Sequence, residues 1–329
     1  MKGKKILLVH THFSTFVRQD YEILSKNNTV YTYHFVSKKN PLRLLAEFLK
    51  QSFYLLIRGW QYDVFFIWFA SYHSLLPTLF AKITRKKTIV VIGGYDSTRV
   101  QSLKYGAFYN KKMYFFTIYT IRNSTVNLCV SRYVHRIVSK ISPRSNNMLV
   151  YNCIEFSSQS TSGSKENIVL TVASVQSSKS FYIKGLDTFI DTARAMPEYE
   201  FYIVGLNQKT TKEQLGNLPK NLTIQGFKPH SELIDIYKRA KVYCQLSRME
   251  SFCLALAEAM HFGCYPVTTN VGALPEVTGK LGCSTARDLK SILDAIKQGM
   301  NAPHTDEFSD FISQNFSMQK RADSLNGII

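Results

Sequence analysis

Residues 247–277 read SRMESFCLALAEAMHFGCYPVTTNVGALPEV, and the parsing of this stretch decides the fold. Just before it, residues 242–245 are a short apolar run of strand length. Residues 247–251 form a polar loop, and the apolar spacing predicts a helix from about Phe252 to Phe262. Gly263 ends that helix, and Tyr265-Pro266-Val267 opens the next apolar run. A strand, a short loop, a helix and a second continuous apolar strand make one βαβ unit of a parallel sheet buried on both faces.

The same alternation extends in both directions. Upstream, strands are predicted at 5–9, 29–35, 64–69, 88–92 and 126–130. Helices fall at 16–25, 42–58, 75–83, from about 95 through 122, and 132–140. In the helix at 42–58, Leu42, Leu45, Leu49, Phe53 and Leu56 share one face. Further on, strands are predicted at 168–173, 200–204, 222–225, 242–245 and 265–268, with helices around 186–195, 231–240 and 286–300. Residues 155–167, EFSSQSTSGSKEN, are polar, rich in Ser and nearly free of core residues, and read as a linker. The expected architecture is α/β with two Rossmann-like βαβ domains. An N-terminal domain covers 1–155, a C-terminal domain covers 165–312, and a final helix at 313–329 crosses back to the first. In such sheets ligands lie beyond the carboxyl ends of the strands.

Charge divides the 329 residues in the same place. Of 41 Lys+Arg and 23 Asp+Glu, residues 1–150 hold 23 basic and only 5 acidic, so this half carries the whole formal net charge of +18. The first half is expected to face something anionic. Aromatic residues beside Lys and Arg along 42–60, with further basic residues at 82–87 and 111–112, suit an anionic membrane surface. Neither a zinc finger nor an RNP pattern is present, so no nucleic-acid partner is expected, although a basic nucleic-acid-binding protein is the alternative the charge alone allows. Six scattered cysteines without a C-x-x-C pair read as buried thiols in a reducing compartment. No run of apolar residues is long enough for a spanning helix. The expected location is cytoplasmic, peripheral on the inner face of the membrane.

The residues that carry chemistry gather in the second half. The first turn of the helix after residue 251 has amides without intrahelical acceptors, and its dipole favours an anion there. Ser251, Phe252 and Cys253 supply this terminus. Glu250 stands in the loop beside it. Glu258 lies two turns into an otherwise apolar helix, where a carboxylate is costly unless it binds something, and a ribose diol would use both its oxygens. Lys184-Gly185-Leu-Asp187 opens another helix, and a lysine there disfavours the dipole unless an anion bridges them.

Taken in order, Glu250, Glu258, Gly263, Pro266-Val267 and Gly272-Ala-Leu-Pro275-Glu276 closely resemble the donor-binding signature of glycosyltransferase family 4, retaining enzymes of the GT-B fold. That resemblance implies two domains facing across a cleft and a nucleotide-diphosphate sugar as donor, UDP- or GDP-linked, held without a metal or other cofactor. It places Glu258 on the ribose, Lys184 on the pyrophosphate, Glu250 on the sugar, and Gly205 near the base. The family usually has an arginine after the strand preceding Lys184. The loop 174–182 has none, and Lys179 is the candidate to replace it. The acceptor, a hydroxyl of a cell-surface glycan (polysaccharide, lipopolysaccharide or lipid-linked), is expected on the first domain. There Gly94, Tyr95 and Asp96 end a strand, His12 follows the first strand, and His73 is the alternative to Asp96 as the catalytic group beside the acceptor hydroxyl. A nucleotide-sugar epimerase of the same fold is the other reading. Oligomeric state is not legible.

Overall fold

A run such as VFFIW has no polar side on which water could lie, and it forms a strand enclosed at every position. The computed structural model describes residues 3–36, 40–155, 165–175, 177–206 and 217–329. The chain divides into two compact units, one made of Met1–Cys153 with Met318–Ile329 and the other of Ile154–Ser317. Most of the stretch read as a linker lies outside the described residues.

The first unit contains a six-stranded parallel sheet. Its elements are β1 (Lys5–His10), α1 (Thr15–Ser25), β2 (Thr29–His34), α2 (Pro41–Arg58), β3 (Val64–Trp68), α3 (Leu75–Ile83), β4 (Lys87–Ile92), α4 (Lys111–Asn123), β5 (Val126–Cys129), α5 (Arg132–Ile141) and β6 (Asn147–Leu149). Strand order is β2-β1-β3-β4-β5-β6, so the direction of winding reverses between β1 and β3. The last helix of the chain, Met318–Ile328, packs against α1. Its Arg321 guanidinium makes a bidentate pair with Asp20 of α1, Nε to Oδ1 at 2.5 Å and Nη2 to Oδ2 at 2.7 Å. Nη1 also donates to the Tyr151 carbonyl at 2.6 Å, and the guanidinium lies over the Trp68 ring. Both partners are buried, and the indole N–H of Trp68 donates to Asp20 as well. Nothing near either residue in sequence announces this contact.

One helix is turned outward. The apolar stripe of α2 does not face the sheet; Leu42, Leu45, Leu49, Phe53 and Leu56 are all exposed. The buried residues of α2 are Gln51 and Leu55, with the Gln51 amide donating to the His73 carbonyl at 3.0 Å. Among the described residues, no helix is long and apolar enough to cross a membrane.

The second unit holds another six-stranded parallel sheet, order β12-β11-β10-β7-β8-β9. The strands are β7 (Glu166–Val172), β8 (Glu200–Val204), β9 (Leu222–Gln225), β10 (Ala240–Gln245), β11 (Tyr265–Thr269) and β12 (Cys283–Thr285). Among the described residues, the helices are α6 (Ser178–Ile183), α7 (Leu186–Ala195), α8 (His230–Arg239), α9 (Leu254–His261), α10 (Leu274–Thr278), α11 (Leu289–Asn301) and α12 (Glu307–Phe316). Winding reverses between β7 and β10, which pair directly, Val242 with Val169 and Tyr243 with Leu170. A crevice for a ligand belongs at the carboxyl ends of those two strands. Most elements missing from the sequence reading are short: β6, β12, α6 and α10 give too few residues for a period to register, while the single helix expected over 313–329 is two, α12 and Met318–Ile328, broken at Ser317.

Candidate functional site in the second unit

Two loops leave the switch point, one from β7 toward α7 and one from β10 toward α9. Lys184 sits on the first and Glu250 on the second. The structure brings them together, Lys184 Nζ donating to Glu250 Oε2 at 2.7 Å. Behind Glu250 runs a line of polar groups. Ser247 Oγ donates to Glu250 Oε2 at 3.4 Å, the Gln245 amide donates to Ser247 Oγ at 2.7 Å, and the Tyr243 hydroxyl donates to Gln245 Oε1 at 3.0 Å. Burial pushes the Tyr243 hydroxyl well above its usual pKa, so it stays a donor. A second ion pair ties the same two loops. Arg248 makes a bidentate contact with Asp187, both bonds at 2.7 Å, and its backbone amide donates to the Ile183 carbonyl. Hydrogen bonding to Asp187 raises the Arg248 pKa further. The Arg248–Asp187 pair was not legible from sequence, since a loop arginine and a first-turn aspartate 61 positions apart carry no local signal.

Two glycines make this approach of backbone to backbone possible. Gly272 has φ +58°, and a Cβ on it would lie 1.9 Å from the Glu250 carbonyl oxygen. The next amide, Ala273 N–H, donates to that same carbonyl at 3.0 Å. The Gly-x-x-Pro-Glu loop is thus a clamp on the residue that carries the carboxylate. Gly185 has φ +70°, and its Cβ would lie 1.9 Å from the Leu246 carbonyl oxygen. A side chain at either position would push the two loops apart.

The helix after the loop begins two residues later than the sequence suggests, at Leu254, with Cys253 at its N-cap in the left-handed region at φ +83°. A non-glycine residue there stores about 1–2 kcal/mol of strain. The Cys253 thiol points inward and donates to Gln245 Oε1, and burial first, then Glu250, raises its pKa. It is a packed thiol rather than a reactive one. The side chain of Phe252, whose amide was expected at this terminus, is buried edge-on against Phe316, ring centroids 5.1 Å apart. Ser251 is half-buried between them. One turn into α9, Glu258 Oε2 accepts from the Tyr237 hydroxyl at 3.1 Å, and Glu258 Oε1 lies 3.3 Å from His230 Nε2. Burial, with Glu258 beside it, raises the Tyr237 pKa well above the ordinary value. Gly205 closes β8, its amide donating to the Gln225 carbonyl. Lys179 is exposed on α6, and Lys184 is the lysine that reaches Glu250. Among the described residues no group of three or more His, Cys, Asp or Glu is arranged to hold a metal ion.

In the first unit the expected residues fare differently. Asp96 is 1% exposed, and its two oxygens accept backbone amides, Ala70 at 3.0 Å and Gly94 at 2.7 Å. Burial raises its pKa to about 6 although the amides pull it down. His73 is equally enclosed, with Nε2 on the Trp68 carbonyl at 2.7 Å and burial lowering its pKa to about 4. Both side chains are enclosed: Asp96 ties the loop after β4 to the loop after β3, and His73 bonds the end of β3. Gly94 precedes the turn that carries Asp96, at φ +114°. Tyr95 is exposed, edge-on to Tyr105, and His12 is exposed after β1. His10, not assigned a role from sequence beyond its place at the strand end, is buried and stacked on His34 at 5.4 Å.

The switch point of the second sheet thus carries a lysine–carboxylate pair, with a further acid, Glu258, on α9. Residues 154–310 match the family model described as glycosyl transferases group 1. The phosphatidylinositol N-acetylglucosaminyltransferase gpi3 protein of Schizosaccharomyces pombe is 28% identical over 130 residues, 37% of this chain and 28% of that protein. The chain spans about a quarter of the length of the curated relatives it matches. Among solved structures, sucrose-phosphate synthase from Thermosynechococcus elongatus superposes with a TM-score of 0.77 at 15% identity, covering 99% of this chain and 98% of that one. Anabaena HepE, solved in complex with UDP and glucose, gives 0.71 at 12% identity and 99% of each chain. At such identities the likeness establishes the fold, which is GT-B over the whole chain.

Proposed function

We propose that this chain is a retaining glycosyltransferase of family 4 type. It moves a hexose-type sugar from a nucleoside diphosphate, UDP or GDP, to a hydroxyl of a cell-surface glycan or lipid-linked acceptor. Glu258 holds the ribose, Lys184 and the first-turn amides of α9 hold the diphosphate, and Glu250 accepts hydrogen bonds from the sugar. In the transfer step the bond from the sugar's anomeric carbon to the diphosphate oxygen breaks, and its electron pair leaves with the diphosphate. The acceptor oxygen bonds that carbon from the same face, and its proton passes to the departing phosphate oxygen. Lys184 and the helix terminus stabilise the growing negative charge, and no metal is required for that.

One observation carries this reading: the Lys184–Glu250 pair at the β7–β10 switch point, fixed by backbone contacts at Gly185 and Gly272. The names of the similar proteins support it, since one is a phosphatidylinositol N-acetylglucosaminyltransferase and another was solved with UDP and glucose. We also propose that the chain works on the cytoplasmic side, peripherally on an anionic membrane surface, a reading supported by the charge of its first half. A thermal-shift screen of UDP-, GDP-, ADP- and CMP-sugars tests the donor assignment, because a ligand that binds only the native state raises its midpoint. One class is expected to shift the wild type and not Glu258→Ala. No shift with any of them, or an equal shift in the variant, defeats the assignment.

A further inference from the structure

Surface helices ordinarily turn their apolar stripe inward. In α2 the stripe runs along the outside from Leu42 through Leu45, Leu49, Phe53 and Leu56, each between 54% and 78% exposed, and Trp60 extends it. The helix is nonetheless anchored, because Gln51 and Leu55 are buried beneath it and Asn40 caps its first turn. Neighbouring helices continue the surface. α3 packs on α2 and exposes Ile83, while α4 packs on α3 and exposes Phe115. Phe48 of α2 and Phe116 of α4 are stacked, so these helices form one layer.

The charges on this layer point to one occupant. Arg43, Lys50 and Arg58 are exposed on α2, Lys82 at the end of α3, and Lys111 and Lys112 at the start of α4. Of the five acidic residues of the first 150, only Glu47 offsets one of them, Lys50. Asp20 and Asp96 are buried, Glu47 is bonded to Lys50, Asp63 accepts the Lys5 amide, and Glu22 lies near Arg18 on α1. A second copy of this chain seated symmetrically on the stripe would bring the two cationic rims together. An anionic bilayer answers both features, accepting apolar side chains below the headgroups and basic ones at their level.

We infer that α2 lies in the plane of an anionic phospholipid surface with its Leu42–Trp60 stripe inserted, the inserted side chains rather than the cationic rim holding it there once salt is raised. This rests on the membrane-surface reading above and assigns that contact to a specific structure. At 1.5 Å per residue the helix lies along about 27 Å of surface. As the crossover from β2 to β3, it starts at the carboxyl edge of the sheet, so a lipid-anchored acceptor in the same leaflet approaches the edge where ligands of such sheets lie.

The test uses the full chain with phosphatidylcholine vesicles containing 30% phosphatidylglycerol (about a third anionic lipid), by co-sedimentation at low and high salt. Each exposed basic residue is expected to raise partitioning about fivefold at low salt, so Lys111→Glu/Lys112→Glu should lower low-salt binding by at least about 25-fold and leave high-salt binding unchanged. Binding that persists at high salt is the inserted part. Leu49→Glu/Phe53→Glu is expected to abolish it, with at least about tenfold loss per residue. Trp68 is buried, so a blue shift of tryptophan emission on vesicles reports Trp60, and it is expected in wild type and lost in the variant. Because the substituted side chains are exposed, circular dichroism is expected to stay unchanged. Binding that vanishes at high salt without a Trp60 shift overturns the insertion while leaving the membrane reading intact. No binding to any vesicle, with a dimer by light scattering that Leu49→Glu/Phe53→Glu dissociates, overturns both and makes the stripe a protein interface.

Discussion

Replacing Gly272 by alanine tests the central feature of the site. An alanine Cβ would sit 1.9 Å from the Glu250 carbonyl oxygen, and ordinary contact begins near 3.4 Å, so the Glu250 loop must retreat by about 1.5 Å. The left-handed conformation at φ +58° adds about 1–2 kcal/mol for any L side chain. Loss of the Ala273-to-Glu250 hydrogen bond adds about 1 kcal/mol. The sum is about 2–3 kcal/mol of lost stability in the second unit, and a retreat of this size in a positioning loop costs roughly a hundredfold in rate. Urea unfolding followed by hydrogen exchange of residues 247–252 measures the first, and transfer kinetics with the donor found by thermal shift measures the second. Gly226→Ala is the control, since its Cβ meets nothing within 4 Å. If Gly272→Ala matches both wild type and Gly226→Ala in stability and exchange, the clamp does not exist.

Other perturbations follow from the same geometry. Lys184→Met leaves Glu250 without its 2.7 Å partner and removes the cation from the diphosphate subsite; donor affinity by calorimetry should fall at least about tenfold, and an unchanged Kd would count against the assignment. Arg321→Ala strands the buried Asp20 carboxylate and should destabilise the first unit by about 3–5 kcal/mol in chemical denaturation, whereas a loss under about 1 kcal/mol would refute the pairing as a buried staple. Asp96 and His73 should give opposite pH dependences. The Asp96 pKa is raised to about 6, so its contribution is present below about 4 and lost as pH rises through 6. His73 is lowered to about 4, so its neutral form stabilises progressively as pH rises from 4 toward 6.5. Stability of Asp96→Asn and His73→Gln relative to wild type, followed from pH 4 to 7, should therefore change with opposite slopes of about 1.4 kcal/mol per pH unit, and parallel curves would show that neither titrates as its burial implies.

The sheets were legible because continuous apolar runs admit almost no other arrangement, and the ordered acids of 250–276 pointed to the second unit through sequence alone. What pattern cannot express is which surface covers a given face. The stripe of α2 has the period of a core-facing helix, yet Gln51 goes in and Leu49 stays out, since periodicity reports that a helix has two sides and not what lies against each. The enclosure of Asp96 was not legible for a related reason: the amides that hold it inside, those of Ala70 and Gly94, come partly from another loop. Arg248 with Asp187 and Arg321 with Asp20 depend on elements far apart in the chain, and only folding makes them neighbours.

The staple between Arg321 and Asp20 has a consequence for biosynthesis. Residues 154–317 form an uninterrupted unit, whereas the first unit includes residues 318–329 as well as those before the second unit. Until position 321 emerges, Asp20 has no guanidinium over it, and α1 lacks the helix it packs against. The first unit therefore depends on residues that follow the second in the chain, and a chain released after residue 317 should hold a finished second unit beside an open first one.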